Sequence, residues 1–62
     1  MFIKIFDKEL GNEIYINSEK IVCIFPNFDG SEIYLDDGTT ILSTLGPEEI
    51  YEKILIMCQW DR

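Results

Sequence analysis

The sequence contains no histidine. That removes the commonest general base and the commonest metal ligand. It has two cysteines, Cys23 and Cys58, which lack the paired spacing of a zinc site. Each stands in an apolar run with no neighbouring base to activate a thiol, so both read as small buried hydrophobes. Basic residues are scarce. Five Lys or Arg stand against twelve Asp or Glu, a net charge of −7. Proteins that bind nucleic acid neutralise phosphates with clustered Lys and Arg. Here Lys4, Lys8, Lys20, Lys53 and Arg62 are scattered and mostly adjoin acids. Direct binding to DNA or RNA, or to an anionic membrane surface, is therefore not expected. No apolar run approaches the 18 or so residues that span a bilayer. No basic leader with a long apolar stretch follows Met1. The expected compartment is the cytoplasm, with both thiols reduced. A disulfide would require the strand carrying Cys23 to meet the helix carrying Cys58. Gly30 and Gly38 stand at turns, and neither belongs to a phosphate-binding pattern.

What the chain does have is apolar residues. Of its 62 residues, 47% are hydrophobic and eight are aromatic. A domain this short buries only about 60% of the surface its unfolded chain exposes and is marginally stable alone. Either its core is dense or a partner covers some of the apolar surface. Self-association is the simplest form of such a partner. The acidity permits a basic partner protein. Its plainer meaning is the solubility of a bacterial-type soluble protein.

Pro47–Gln59 is the segment most clearly helical. Gly46-Pro47-Glu48-Glu49 is a start signal: proline at the first helical position loses no intrahelical bond, and acids suit the positive end of the helix dipole. At about 100° per residue, Ile50, Tyr51, Ile54, Leu55, Met57 and Cys58 form one broad side expected to cover a sheet. Glu52, Lys53 and Gln59 fall opposite, together with Ile56 and Trp60, which are one turn apart. An apolar pair on the solvent side suggests a contact. The plainer alternative has Trp60 past the helix end, folded over the sheet edge.

Before the helix the chain reads as short strands. Phe2–Phe6 and Glu13–Ile16 alternate, with Ile3, Ile5, Ile14 and Ile16 inward, and are joined by a polar turn. Asn17–Lys20 is a break able to form one 3₁₀ turn. Ile21–Phe25 is apolar at every position. It is expected to be a central strand buried on both faces, ended by Pro26. Phe28 lies at the tip of the next loop, exposed or tucked back. Ser31–Asp36 alternates, with Ile33 and Leu35 on one face. Asp37-Gly38 predicts a two-residue hairpin turn, and Thr39–Ser43 is the returning strand. The expectation is one α+β domain over residues 1–62: a small antiparallel sheet of about five short strands with a C-terminal helix packed across it.

Asp29, Glu32, Asp36 and Asp37 are the carboxylates nearest a cluster. Such a group could bind a divalent cation weakly or form an acid–base pair, but EF-hand spacing is absent. A solvated loop and strand face is the simpler reading. A chain of this length has little room for a substrate pocket. No catalytic residue, metal ligand or cofactor is expected.

Gly11, Tyr15, Ile16, Asn17, Ile21, Ile24, Ile33, Leu35, Gly38, Glu49, Ile50 and Ile54 occur in an order that resembles the small flagellar and swarming-motility proteins of the FlbD type. The pattern covers most of the chain. It departs from that family at Asn27–Gly30, where a Pro-Asp-Thr loop is usual, and at Thr39 and Thr40, where lysines are usual. The succession is also similar to the core of LytTR-type domains, whose basic DNA-binding loops this chain lacks. No site is carried over from either. The resemblance implies a non-enzymatic accessory protein acting by protein contact.

Two functions of different class follow. The first is a protein-interaction module, homo-oligomeric or partner-bound, with Tyr51, Ile56, Trp60 and Phe28 as apolar anchors. The second is an acidic inhibitor or nucleic-acid mimic, of the kind carried by phages and mobile elements. It would occupy a basic groove through Glu32, Asp36, Asp37, Glu48, Glu49 and Glu52, with Asp29 on the same acidic surface.

Overall fold

The computed structural model describes the backbone of residues 1–60 and the side chains of residues 1–56. Five strands and one helix follow in order: β1 (Phe2–Asp7), β2 (Asn12–Asn17), a 3₁₀ turn (Ser18–Lys20), β3 (Ile21–Asn27), β4 (Gly30–Leu35), β5 (Thr40–Ser43) and α1 (Pro47–Trp60). The architecture is α+β, as expected. The strands, however, divide between two antiparallel sheets, β1-β2 and β3-β4-β5. A hydrogen bond from Lys8 N–H to the Leu42 carbonyl, 2.8 Å, joins the sheets at β1 and β5.

One core serves both sheets. Among the described residues it has six buried isoleucines, Ile3 and Ile5 from β1, Ile16 from β2, Ile33 from β4, Ile41 from β5 and Ile50 from α1. Alternation supplies the first five, because one face of each strand turns inward. β1 and β2 pair without irregularity from Phe2↔Asn17 to Asp7↔Asn12. Their turn is held by Asp7, whose carboxylate accepts the N–H groups of Glu9 and Leu10 at 2.9 and 3.1 Å.

β3 differs from its expected place. It is the outer strand of its sheet, and β4 is central. Its register shifts between Ile21, opposite Leu35, and Cys23, opposite Tyr34. Val22 is the extra residue of this β-bulge and is 65% exposed. Without Val22 the strand alternates: Ile21 and Ile24 face the core, Cys23 and Phe25 the outer side. The unbroken apolar run thus reflects a bulge and an apolar outer face, not burial on both sides. β3 also continues through Pro26 to Asn27. An outer strand tolerates proline because only one of its edges is in a ladder.

The β4–β5 turn is longer than two residues. Leu35 N–H donates to the Thr39 carbonyl at 2.9 Å, enclosing Asp36-Asp37-Gly38. Gly38 has φ +90°, so this is a three-residue hairpin with glycine in the left-handed position.

The β5-to-helix corner is tied by two fully buried serines that face each other across β4 and β5. Ser31 Oγ donates to the Leu45 carbonyl at 2.6 Å, and Ser43 Oγ accepts Leu45 N–H at 3.1 Å. Gly46 is then the cap of α1. Its carbonyl accepts Ile50 N–H at 3.2 Å, and its N–H donates to Glu49 Oε1 at 3.2 Å. This is the returning half of a capping box, with Pro47 at the first helical position.

Candidate functional site

The helix is rotated from its expected setting. Ile50 is buried, Ile54 packs against the core and Lys53 is half-buried, so these three mark the side facing the sheets. Tyr51, expected on that side, is 58% exposed, and Leu55 is exposed with it. The cause is the packing partner: α1 rests on both β1 and β3, with Ile50 and Ile54 turned to the core they share. The expectations for the side chains of Met57, Cys58, Gln59 and Trp60 lie outside the described residues. So does any disulfide between Cys23 and Cys58.

Ile56 is 53% exposed but does not stand alone on the solvent side. With Phe2, Ile3 and Tyr15 it lines an open groove of about 370 Å³ between the helix flank and the outer side of β1-β2. Lys4 and Lys53 complete the lining. The Lys4 ammonium lies 5.9 Å from the centre of the Tyr15 ring and 3.6 Å from Glu13. Phe2 and Tyr15 are both more than half exposed. The groove therefore joins one expected anchor, Ile56, to two aromatics, Phe2 and Tyr15, that the sequence presents only as strand residues. Their outward parity on alternating strands was the signal available for them.

Phe28 is fully exposed at the tip of the β3–β4 hairpin. It lines neither the groove beside α1 nor the hollow of about 450 Å³ next to the bulge, formed by Val22, Tyr34, Thr39 and Thr40 among others. Tyr51 lines neither hollow. The four expected anchors are thus not one described patch.

The outer face of the larger sheet carries a second apolar area. Phe25 and Tyr34 meet with ring centres 5.2 Å apart at 55°. The Tyr34 hydroxyl donates to Glu32 Oε1 at 2.9 Å. That bond, with the negative charge of Glu32, holds the phenol above its usual value near 10.

The four carboxylates are not gathered. Asp29 and Asp36 flank opposite ends of β4, about 20 Å apart along an extended strand. Asp29 is paired with Lys8, and Asp36 lies 3.7 Å from Lys20. Asp37 accepts Thr39 N–H at 2.9 Å, and hydrogen bonding by Thr39 holds its carboxyl below the usual range. Among the described residues no three Cys, Asp or Glu side chains come close enough to hold a metal ion. On the helix, Glu48, Glu49 and Glu52 are exposed, and Glu49 is engaged at the cap. No helix among the described residues is long and apolar enough to cross a membrane.

No family model matches the chain, and neither a curated protein nor a solved structure is significantly similar to it.

Proposed function

We propose that this chain is a small non-enzymatic protein-interaction module that associates with itself through apolar surface beside its helix. The groove of Phe2, Tyr15 and Ile56 carries this reading. Three large apolar side chains converge there, each more than half exposed, while six hydrophobic residues are buried among those described. Converging exposed apolar groups on a small domain mark a contact surface. The FlbD-type resemblance, which implies action by protein contact, agrees with this reading. The acidic-inhibitor alternative has less support, because Asp29 and Asp36 already have lysine partners.

Light scattering at low and high salt tests the proposal. The chain is expected to be a dimer or larger at both. Replacing Ile56 with Glu is expected to weaken association by about tenfold or more, as for a central interface residue. A mass of one chain at every concentration overturns the reading.

A further inference from the structure

We propose that the occupant of this surface is a second copy of the chain, joined edge to edge through β2. The two copies would form a continuous antiparallel sheet β1-β2-β2-β1 with Tyr15 on the twofold axis. This rests on the self-association reading and specifies where it occurs.

The backbone hydrogen-bonding pattern carries the inference. Ser18 N–H donates to the Met1 carbonyl at 2.7 Å, in register with the β1–β2 ladder. Antiparallel pairs alternate between bonded and non-bonded positions. Asn12, Ile14 and Ile16 therefore direct their N–H and C=O groups to β1, while Glu13, Tyr15 and Asn17 direct theirs away from it. β1 obeys the same alternation on its other side, where Lys8 N–H reaches the Leu42 carbonyl. Among the described residues, β2 pairs only with β1. Of its outward groups the Asn17 carbonyl serves the 3₁₀ turn that follows, and no backbone hydrogen bond links the others to another strand.

The other end of the strand row is guarded. β3 carries the Val22 bulge and Pro26, two devices that spoil strand addition. β2 has no proline, no bulge and an unbroken six-residue register. Of these two outer edges it is the open one.

The residues of β2 also select a register. Pairing Tyr15 with Tyr15 places Glu13 opposite Asn17 and Ile14 opposite Ile16. All three outward-directed residues are then used, giving about six interchain hydrogen bonds, two of them second bonds to the Asn17 carbonyls, which already serve the 3₁₀ turns. Pairing Ile14 with Ile14 uses only Glu13 and Tyr15 and gives about four. A third option, Glu13 on Glu13, opposes like charges. In the favoured register the two isoleucines extend the core face across the junction. On the outer face the order is Lys4, Tyr15, Tyr15, Lys4, which continues the observed Lys4–Tyr15 contact and lies beside the groove. A twofold axis makes the arrangement closed and self-complementary.

Hydrogen exchange on the unmodified chain, read at low and high concentration beside light scattering, tests the pairing. The amides of Glu13, Tyr15 and Asn17 are expected to slow at least tenfold at the concentration where the mass doubles. Equal exchange of these amides in monomer and dimer overturns the β2 junction while leaving self-association standing. A chain that never dimerises overturns both. Tyr15→Pro removes the outward N–H together with the phenol and leaves the β1 ladder its bonds, so Tyr15→Ala, which loses the phenol alone and is expected to dimerise better, is its control. The proline variant is expected to lose dimerisation at least tenfold while keeping its circular dichroism, and Val22→Lys on β3 is expected to dimerise normally. A folded Tyr15→Pro chain that dimerises normally also overturns the junction.

Discussion

β2 and β3 are both outer strands, yet they present their edges in opposite ways. β2 is short, regular and flanked by turns that hold themselves together, such as the Asp7 turn before it. β3 is longer, more apolar, bulged at Val22 and interrupted by Pro26. The more hydrophobic strand is thus the one made unfit for pairing, and the more polar strand is left open. Apolar composition alone does not make an edge adhesive. What matters is whether consecutive N–H and C=O groups point outward in line. On the proposed pairing, one guarded and one open edge would give a closed dimer and not a fibre.

The largest expected effect separates the two hairpins by their glycines. Gly30 has φ +153°, and a Cβ there would overlap the Ser43 carbonyl oxygen and lie 2.8 Å from Thr44 Cα. Backbone cannot yield as a side-chain tip does. Gly30→Ala is expected to cost more than about 3 kcal/mol. A 62-residue domain has only about 3–9 kcal/mol in total, so most of the chain would unfold. Gly11, in the β1–β2 turn, has φ +76° and open space around it. Gly11→Ala should cost only about 1–2 kcal/mol, from the left-handed backbone alone. Urea unfolding of the two variants checks the contrast. Equal midpoints would mean that β4 does not rest on β5 as described.

Deleting Val22 is a more selective change. It removes the bulge and restores alternation through Ile21, Cys23, Ile24 and Phe25. The β3 edge then becomes regular along most of its length. Assemblies larger than a dimer are expected, growing with concentration, and sedimentation would detect them. A deletion variant with unchanged mass would show that Pro26 alone guards the edge.

The smallest effect concerns the outer face of β4. The folded phenol of Tyr34 is held protonated by Glu32. Its contribution to stability is present below pH 10 and fades as pH rises through the raised folded-state value. Ultraviolet titration should show one tyrosine ionising later than usual, and Glu32→Gln should return it toward 10. An unchanged titration in that variant would remove Glu32 as the cause.

Much of the fold is legible locally. Strict alternation in Phe2–Phe6, Glu13–Ile16 and Ser31–Leu35 identifies strands and their inward residues, because side chains on a strand have period two. Gly46-Pro47-Glu48-Glu49 marks the helix start for reasons internal to those four residues. The surface was less legible. Phe28 and Ile56 were identifiable as exposed apolar candidates, but the part played by Phe2 and Tyr15 was not, since their neighbour Ile56 is distant in sequence.

Local sequence is therefore enough for the kinds and order of elements, the turn positions and the inward isoleucines of β1, β2 and β4. These depend on backbone geometry within a few residues. Only the packed fold decides that five strands form two sheets, that Ile21–Phe25 is a bulged outer strand, and that α1 turns Lys53 inward and Tyr51 outward. An apolar run carries no record of how many faces are covered, and a helix with apolar residues on most sides can be seated in several rotations. Contacts with distant strands choose among these possibilities, and no window of neighbouring residues contains them.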